Sequence, residues 1–296
     1  MREPTRRAAP AERTVWAGRA RLILLALDGS PEAHAALPAA RLAARLADAS
    51  LHVVHALDQP VSEAEALTRL GLSASETPGL VIDQVVGPPA EAIIRWAAES
   101  RAMLIVLTTR GRTPYQGRVL RPVAEAIVRH APCPVLLVRP EIAERVRATT
   151  DLRRIVLPLD GAPSSAAVIA PALELAARAG AEVDILFVAG PAAPPAEPGT
   201  LTGPVYVDQP QHEWPAWARE FIARFGTSLG RYPPATHCRL FLRTGDPASE
   251  ILRFASEHAS DLIVLEWRGR LDPTHARVVK AVLANAPCPV LLLRTR

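Results

Sequence analysis

The sequence predicts an α/β protein built from two copies of one domain, each a five-stranded parallel sheet flanked by helices. Three observations predict it: a motif series that occurs twice, apolar runs that alternate with amphipathic stretches, and an apolar composition poor in aromatics. The first series reads Leu104-Ile105-Val106-Leu107, Thr108-Thr109-Arg110-Gly111-Arg112, a variable link, then Ala131-Pro132-Cys133-Pro134-Val135-Leu136-Leu137-Val138-Arg139. The second reads Leu262-Ile263-Val264-Leu265, Glu266-Trp267-Arg268-Gly269-Arg270, then Ala286-Pro287-Cys288-Pro289-Val290-Leu291-Leu292-Leu293-Arg294. Upstream, the apolar run ending in Asp28-Gly29 matches the run ending in Asp160-Gly161, and Gly87-Pro88-Pro89-Ala90 matches Gly245-Asp246-Pro247-Ala248.

The spacing locates the differences between the copies. Asp28 and Asp160 lie 132 residues apart and Gly111 and Gly269 lie 158 apart, so the second copy carries 26 extra residues between these landmarks. Cys133 and Cys288 lie 155 apart, so the second copy loses three residues after Gly269. Both changes fall in connections, where length changes cost little entropy. The reading divides the chain into a flexible tail (1–20), a first domain (21–140), a linker (141–151) and a second domain (152–296) with an insertion about 190–230.

In order, residues 21–27 form an apolar run before Asp28-Gly29-Ser30-Pro31, the pattern of a strand buried on both faces and a turn into a helix. The helix is expected over 32–47, with Ala36, Leu37, Ala40, Leu42, Ala43 and Leu46 on its apolar face. Strands follow at 50–57 and 80–86, separated by a polar stretch with one short helix over 63–70. Helix 89–100 opens on Pro89, whose missing N–H suits a first helical position. Strand 103–107, helix 122–130 and strand 135–139 complete the first copy. A short helix is expected in the linker. The second copy repeats strand 154–159, helix 164–179 and strand 182–189. After the insertion come strand 238–243, helix 247–258, strand 262–265, helix 277–285 and strand 290–293. Inside the insertion, Trp214, Trp217, Phe221 and Phe225 share one face of a helix expected over 213–229, a packing stripe for the core or the seam between domains.

Composition narrows the classes. Apolar residues make up 49% of the chain and aromatics only 4%, so Ala, Leu and Val fill the core. No apolar run approaches the ~20 residues that cross a bilayer, so no membrane partner is expected. The formal charge is +4, nearly all from Arg, with Lys280 the single lysine. The arginines are scattered and lack a clustered stripe or interleaved aromatics, so nucleic acid is not an expected partner. Three cysteines without a C-x-x-C pair make neither a disulfide framework nor a zinc site. Cys133 and Cys288 read as small buried side chains at strand starts, and the compartment as the reducing cytoplasm. His52 and His55, three apart on a strand, point to opposite faces and are not expected to share a metal.

In an open parallel sheet, ligands bind beyond the carboxyl ends of the strands, where the strand order reverses. If the first and fourth strands flank that point, Asp28 meets the stretch 108–113 there, and Asp160 meets 266–271. The candidate site residues are Asp28, Thr108, Gly111, Arg112, Thr113 and Arg121 in the first copy, with Asp160 and Gly269 in the second. No nucleophile–base pair, metal set or phosphate-loop lysine stands out, so no catalytic residue is assigned.

The order strand-Asp-Gly-Ser, Gly-x-Pro-Ala, Leu-Ile-Val-Leu-x-x-Arg-Gly-Arg and Ala-Pro-Cys-Pro-Val-Leu-Leu-Val-Arg resembles the universal stress protein family in a tandem two-domain form. The resemblance implies two flavodoxin-like (HUP-type) domains of strand order 3-2-1-4-5. It also implies pairing through the fifth strands, either between the two domains of one chain or in a homodimer. Family members that bind ATP carry Gly-x2-Gly-x9-Gly-(Ser/Thr), a loop whose backbone N–H groups approach phosphates. On the first copy these positions fall at Thr108, Gly111, Arg121 and Pro122, and only Gly111 matches. On the second, Glu266 stands at the first position, Gly269 is kept, and Ala276-Arg277 stands where Gly-Ser would fall. A carboxylate at 266 would repel phosphates. Arg110, Arg112, Arg118 and Arg121 can hold phosphates by side chain instead, while Asp28 and Asp160 can equally cap the turns they begin.

The function expected is a stress-response regulatory or interaction module with degenerate phosphate loops, working through protein partners or as a dimer, without a resident cofactor. The alternative is an adenine-nucleotide sensor that takes ATP in the first domain, with slow hydrolysis as an added activity.

Overall fold

The computed structural model describes Trp16 and residues 19–109, 119–159, 167–189, 237–267, 269 and 273–294. The stripe from Trp214 to Phe225 and the rest of the insertion lie outside the described residues. The first domain runs β1 (Leu22–Ala26), a 3-10 helix (Ala33–Ala36), α1 (Leu37–Ala47), β2 (Ser50–Leu57), α2 (Glu63–Leu70), β3 (Leu80–Val86), α3 (Pro89–Glu99), β4 (Leu104–Thr108), α4 (Pro122–His130) and β5 (Val135–Val138). A 3-10 turn (Pro140–Ile142) and α5 (Ala143–Ala148) form the connection. The second domain runs β6 (Arg154–Leu159), α6 (Ile169–Ala179), β7 (Glu182–Ala189), β8 (Cys238–Thr244), α7 (Pro247–Glu257), β9 (Leu262–Trp267), α8 (Pro273–Asn285) and β10 (Val290–Arg294).

Helix α6 is described only from Ile169, the start expected at 164 lying outside the described residues, and two further helices depart from the pattern reading. The helix expected from residue 32 begins as a 3-10 turn and becomes α-helical only at Leu37, with Pro38 in its first turn. Proline has no N–H to give and crowds the carbonyl four residues back, so the ladder has to restart there. Helix α8 opens four residues earlier than the apolar periodicity suggested, at Pro273, again a proline suited to a first turn.

The ten strands among the described residues form one sheet in the order β3-β2-β1-β4-β5-β10-β9-β6-β7-β8. Each half therefore has its own 3-2-1-4-5 order and is internally parallel. The halves join through an antiparallel pair with Leu291 opposite Leu136, Val290 opposite Leu137 and Leu292 opposite Val135. These six side chains are buried; the join removes two apolar edges that would otherwise template aggregation. Residues alternate along β1, so Ile23 and Leu25 pack under α1 while Leu24 packs toward α3 and α4. Each of the two apolar layers runs unbroken across the seam, one including α1 and α6 and the other α4, α7 and α8.

Side chains also cross the seam in a reciprocal way. Arg139 donates to the Ala286 carbonyl at 2.9 Å and Arg294 donates to the Ala131 carbonyl at 3.0 Å. Each arginine thus satisfies a carbonyl just past the last turn of the other domain's helix, where backbone acceptors lack intrahelical partners. Trp267 adds a buried bond, its Nε1–H donating to the Val128 carbonyl in the last turn of α4 at 2.7 Å.

Candidate functional site

In the first domain the candidate site is built on the turn after β1. Asp28 Oδ1 accepts from the backbone N–H of Ser30 at 3.0 Å and from its hydroxyl at 2.6 Å. Ser30 Oγ in turn accepts from the Ala33 N–H at 3.3 Å, which opens the 3-10 helix. Gly29 makes the turn possible, because it sits at φ +76° and a β-carbon there would run into the Arg69 carbonyl at the end of α2. One oxygen of Asp28 is therefore spent on holding the loop in shape.

Thr108 closes β4, parallel to β1, and is buried, so the end of that strand stands beside the Asp28 turn. Arg121 is the residue before α4. Its backbone is extended, its side chain makes no capping bond, and Pro122 follows at the first helical position. The Nη1 atom of Arg121 is buried and has no hydrogen-bond partner among the described residues. A buried guanidinium nitrogen with nothing to donate to is costly.

Asp28, Thr108 and Arg121 line one cleft of about 750 Å³ at the carboxyl ends of β1, β2 and β4. Its apolar walls include Leu27, Leu107 and Ile127, and Pro89 and Pro122 bring the amino ends of α3 and α4 to it. His55 and Arg69 line it too, and the sequence reading did not single them out for the site. The signal for His55 lies only in the parallel register of β1 and β2, which puts it beside Leu27. There its Nδ1–H donates to the Leu27 carbonyl at 3.1 Å. His52 faces the other way, toward the Asp83 carboxylate at 2.6 Å, so the two histidines do not converge. Gly111, Arg112 and Thr113, with Arg110 and Arg118, lie outside the described residues.

The second copy is arranged differently. Asp160 lies outside the described residues. Glu266 is buried within β9. Gly269 has φ +71°, and the Arg294 guanidinium lies across it, 3.1 Å from where a β-carbon would stand. The glycine thus makes room for the arginine that crosses the seam. Ala276 is buried, and Arg277 reaches Asp246 at 3.5 Å.

Cys133 and Cys288 are buried, and burial pushes both thiols up to about 12, which leaves them protonated and unreactive. Among the described residues, no three His, Cys, Asp or Glu side chains stand close enough to hold a metal ion. No helix among them is long and apolar enough to cross a membrane.

Comparison with known proteins follows the two-copy layout. The model of the universal stress protein family matches residues 20–139 and again residues 151–294. A universal stress protein of Thermus aquaticus, from the region 3′ of a QAH/OAS sulfhydrylase gene, is 38% identical over 134 residues; the match takes in 40% of this chain and 97% of that protein. A universal stress protein from Archaeoglobus fulgidus superposes with a TM-score of 0.63 at 15% identity, over 93% of this chain and 98% of its own. A functionally unknown protein from Pseudomonas aeruginosa gives 0.64 at 20% identity, over 95% and 94%. The structural likenesses speak for the fold alone. With both halves matched by one family model, the chain belongs to the universal stress protein family.

Proposed function

We propose that the chain is a stress-response regulatory module whose first domain binds an adenine nucleotide in the cleft between Asp28 and Arg121. The observation that carries this reading is Arg121, a residue of the cleft wall whose Nη1 is buried without a hydrogen-bond partner among the described residues. A phosphate in the cleft would draw the Arg121 guanidinium toward it and give it a charge-assisted bond, and the uncapped amino end of α4 adds favourable dipole charge at the same place. In this reading Arg121 supplies by side chain what the family's ATP-binding members obtain from a glycine backbone. The volume of about 750 Å³ suits a nucleotide-sized ligand. In this reading Asp28 faces the nucleoside end.

A second reading, a nucleotide-free module that works through protein contacts, draws support from Asp28. Its Oδ1 is already taken by Ser30, and Pro122 offers no N–H. Calorimetric titration of Mg-ATP into the full chain separates the two. The nucleotide reading expects one site per chain, with affinity at least tenfold weaker in Arg121→Ala, the loss of one charge-assisted hydrogen bond of roughly 1.5–3 kcal/mol. Absence of heat from folded protein would leave the protein-contact reading, and equal affinity in Arg121→Ala would overturn the role given to Arg121.

A further inference from the structure

On the sheet face away from α4, between α1 and α6, the two domains line a second hollow of about 100 Å³ that opens partly to solvent. Leu136 and Leu291, register partners across the seam, both line it, and Trp16 packs in from the N-terminal segment. The Trp16 indole N–H donates to the Pro171 carbonyl of α6 at 3.3 Å, so its ring spans from one domain to the other. The origin of the hollow can be read from the repeat. Ala43 on α1 and Leu175 on α6 hold equivalent positions, 132 residues apart, and both line it. At this position the first copy offers a methyl group where the second offers an isobutyl group.

The chemistry of the walls sets what can enter. Among the described residues only Arg178 and Asp261 are charged there, and both are engaged: Arg178 with Glu174 at 3.2 Å, Asp261 with the backbone N–H groups of Arg153 and Arg154 at 2.9 and 3.0 Å. An ionic head group would find no unpaired counter-charge, and a water needs two to four polar partners that these walls do not supply. Protein interiors are otherwise close-packed, and dry apolar cavities of roughly 150 Å³ take up benzene. We propose that the seam hollow is a binding site for a small, neutral, apolar molecule of about one aromatic ring, held between the two domains beside Trp16. This proposal is independent of the nucleotide reading, since the two sites share no lining residue.

The test is thermal unfolding of the full chain with and without benzene, with sodium benzoate as the charged counterpart. Benzene is expected to raise the melting temperature of the parent by a few degrees, as any ligand of the native state does, and benzoate to leave it unchanged. Ala43→Leu restores the residue found in the second copy. It is expected to melt higher than the parent by itself and to lose the response to benzene, whereas Arg121→Ala keeps that response. Ala47→Leu, on the same wall, serves as a second filling variant should Ala43→Leu fold poorly. No benzene shift in the parent, an equal shift in the filled variants, or a benzoate shift as large as that of benzene would each overturn the proposal.

Discussion

Gly29 and Gly79 share a positive φ, +76° and +77°, yet they differ in what surrounds them. A β-carbon at Gly79 meets nothing within 4 Å, so Gly79→Ala should cost only the left-handed backbone penalty, about 1–2 kcal/mol. At Gly29 the backbone of Arg69 stands in the way and cannot rotate aside, so Gly29→Ala should cost about 3 kcal/mol or more and loosen the Asp28 turn. Denaturant unfolding of the two variants ranks them directly; equal losses would mean that α2 is free to move. At this scale the sequence was legible where a residue type has one dominant use. Asp28-Gly29-Ser30 read as a turn because aspartate and glycine have few other roles at a strand end. The buried nitrogen of Arg121 was not legible, because burial is set by how the elements dock and leaves no mark in the local pattern.

Among the elements, β2, β3, α2 and α4 begin and end where the apolar pattern placed them, since Gly, Pro or polar residues punctuate both ends of each. The start of α1 escaped the pattern because its apolar periodicity continues through Pro38 and says nothing about a missing N–H. Helix α7 gives a pH-dependent prediction. Asp246 caps it by accepting from the Ser249 N–H at 3.0 Å and from the Ser249 hydroxyl at 2.9 Å, and these bonds hold its carboxyl below the usual carboxylate value. A depressed folded value means that the stabilisation is complete above the unfolded value, near 4, and drains away as the pH falls through the folded one. Asp246→Ala should therefore melt below the parent at pH 7 and at pH 5, and the two melting curves should converge near pH 2. A gap that persists in acid would show that the cap acts without its charge.

Across the whole molecule, the fifth-strand pairing was legible only through the family resemblance, and the arginine exchange was not legible at all. Arg139 and Arg294 find their carbonyls 147 and 163 residues away, a distance over which no local pattern carries information. The shared sheet and the two unbroken apolar layers predict a single calorimetric unfolding transition for both domains. Trp267→Phe leaves the Val128 carbonyl buried without a donor and should cost about 1–3 kcal/mol. Combining it with Arg139→Ala and Arg294→Ala should split the transition into two. One transition in the triple variant would mean that strand pairing and apolar packing hold the halves together without these bonds.

The antiparallel seam also changes what substitution can do. In a pair of identical subunits every change is made twice, so a cleft cannot be abandoned on one side and kept on the other. Joined in one chain, the halves are free to diverge: Glu266 and Trp267 stand in the second domain where Thr108 and Thr109 stand in the first. Under the proposed function this leaves one nucleotide site for each chain. Occupancy then follows a simple hyperbola with ligand concentration, and the output is graded where a symmetric pair of coupled sites could have made it switch-like.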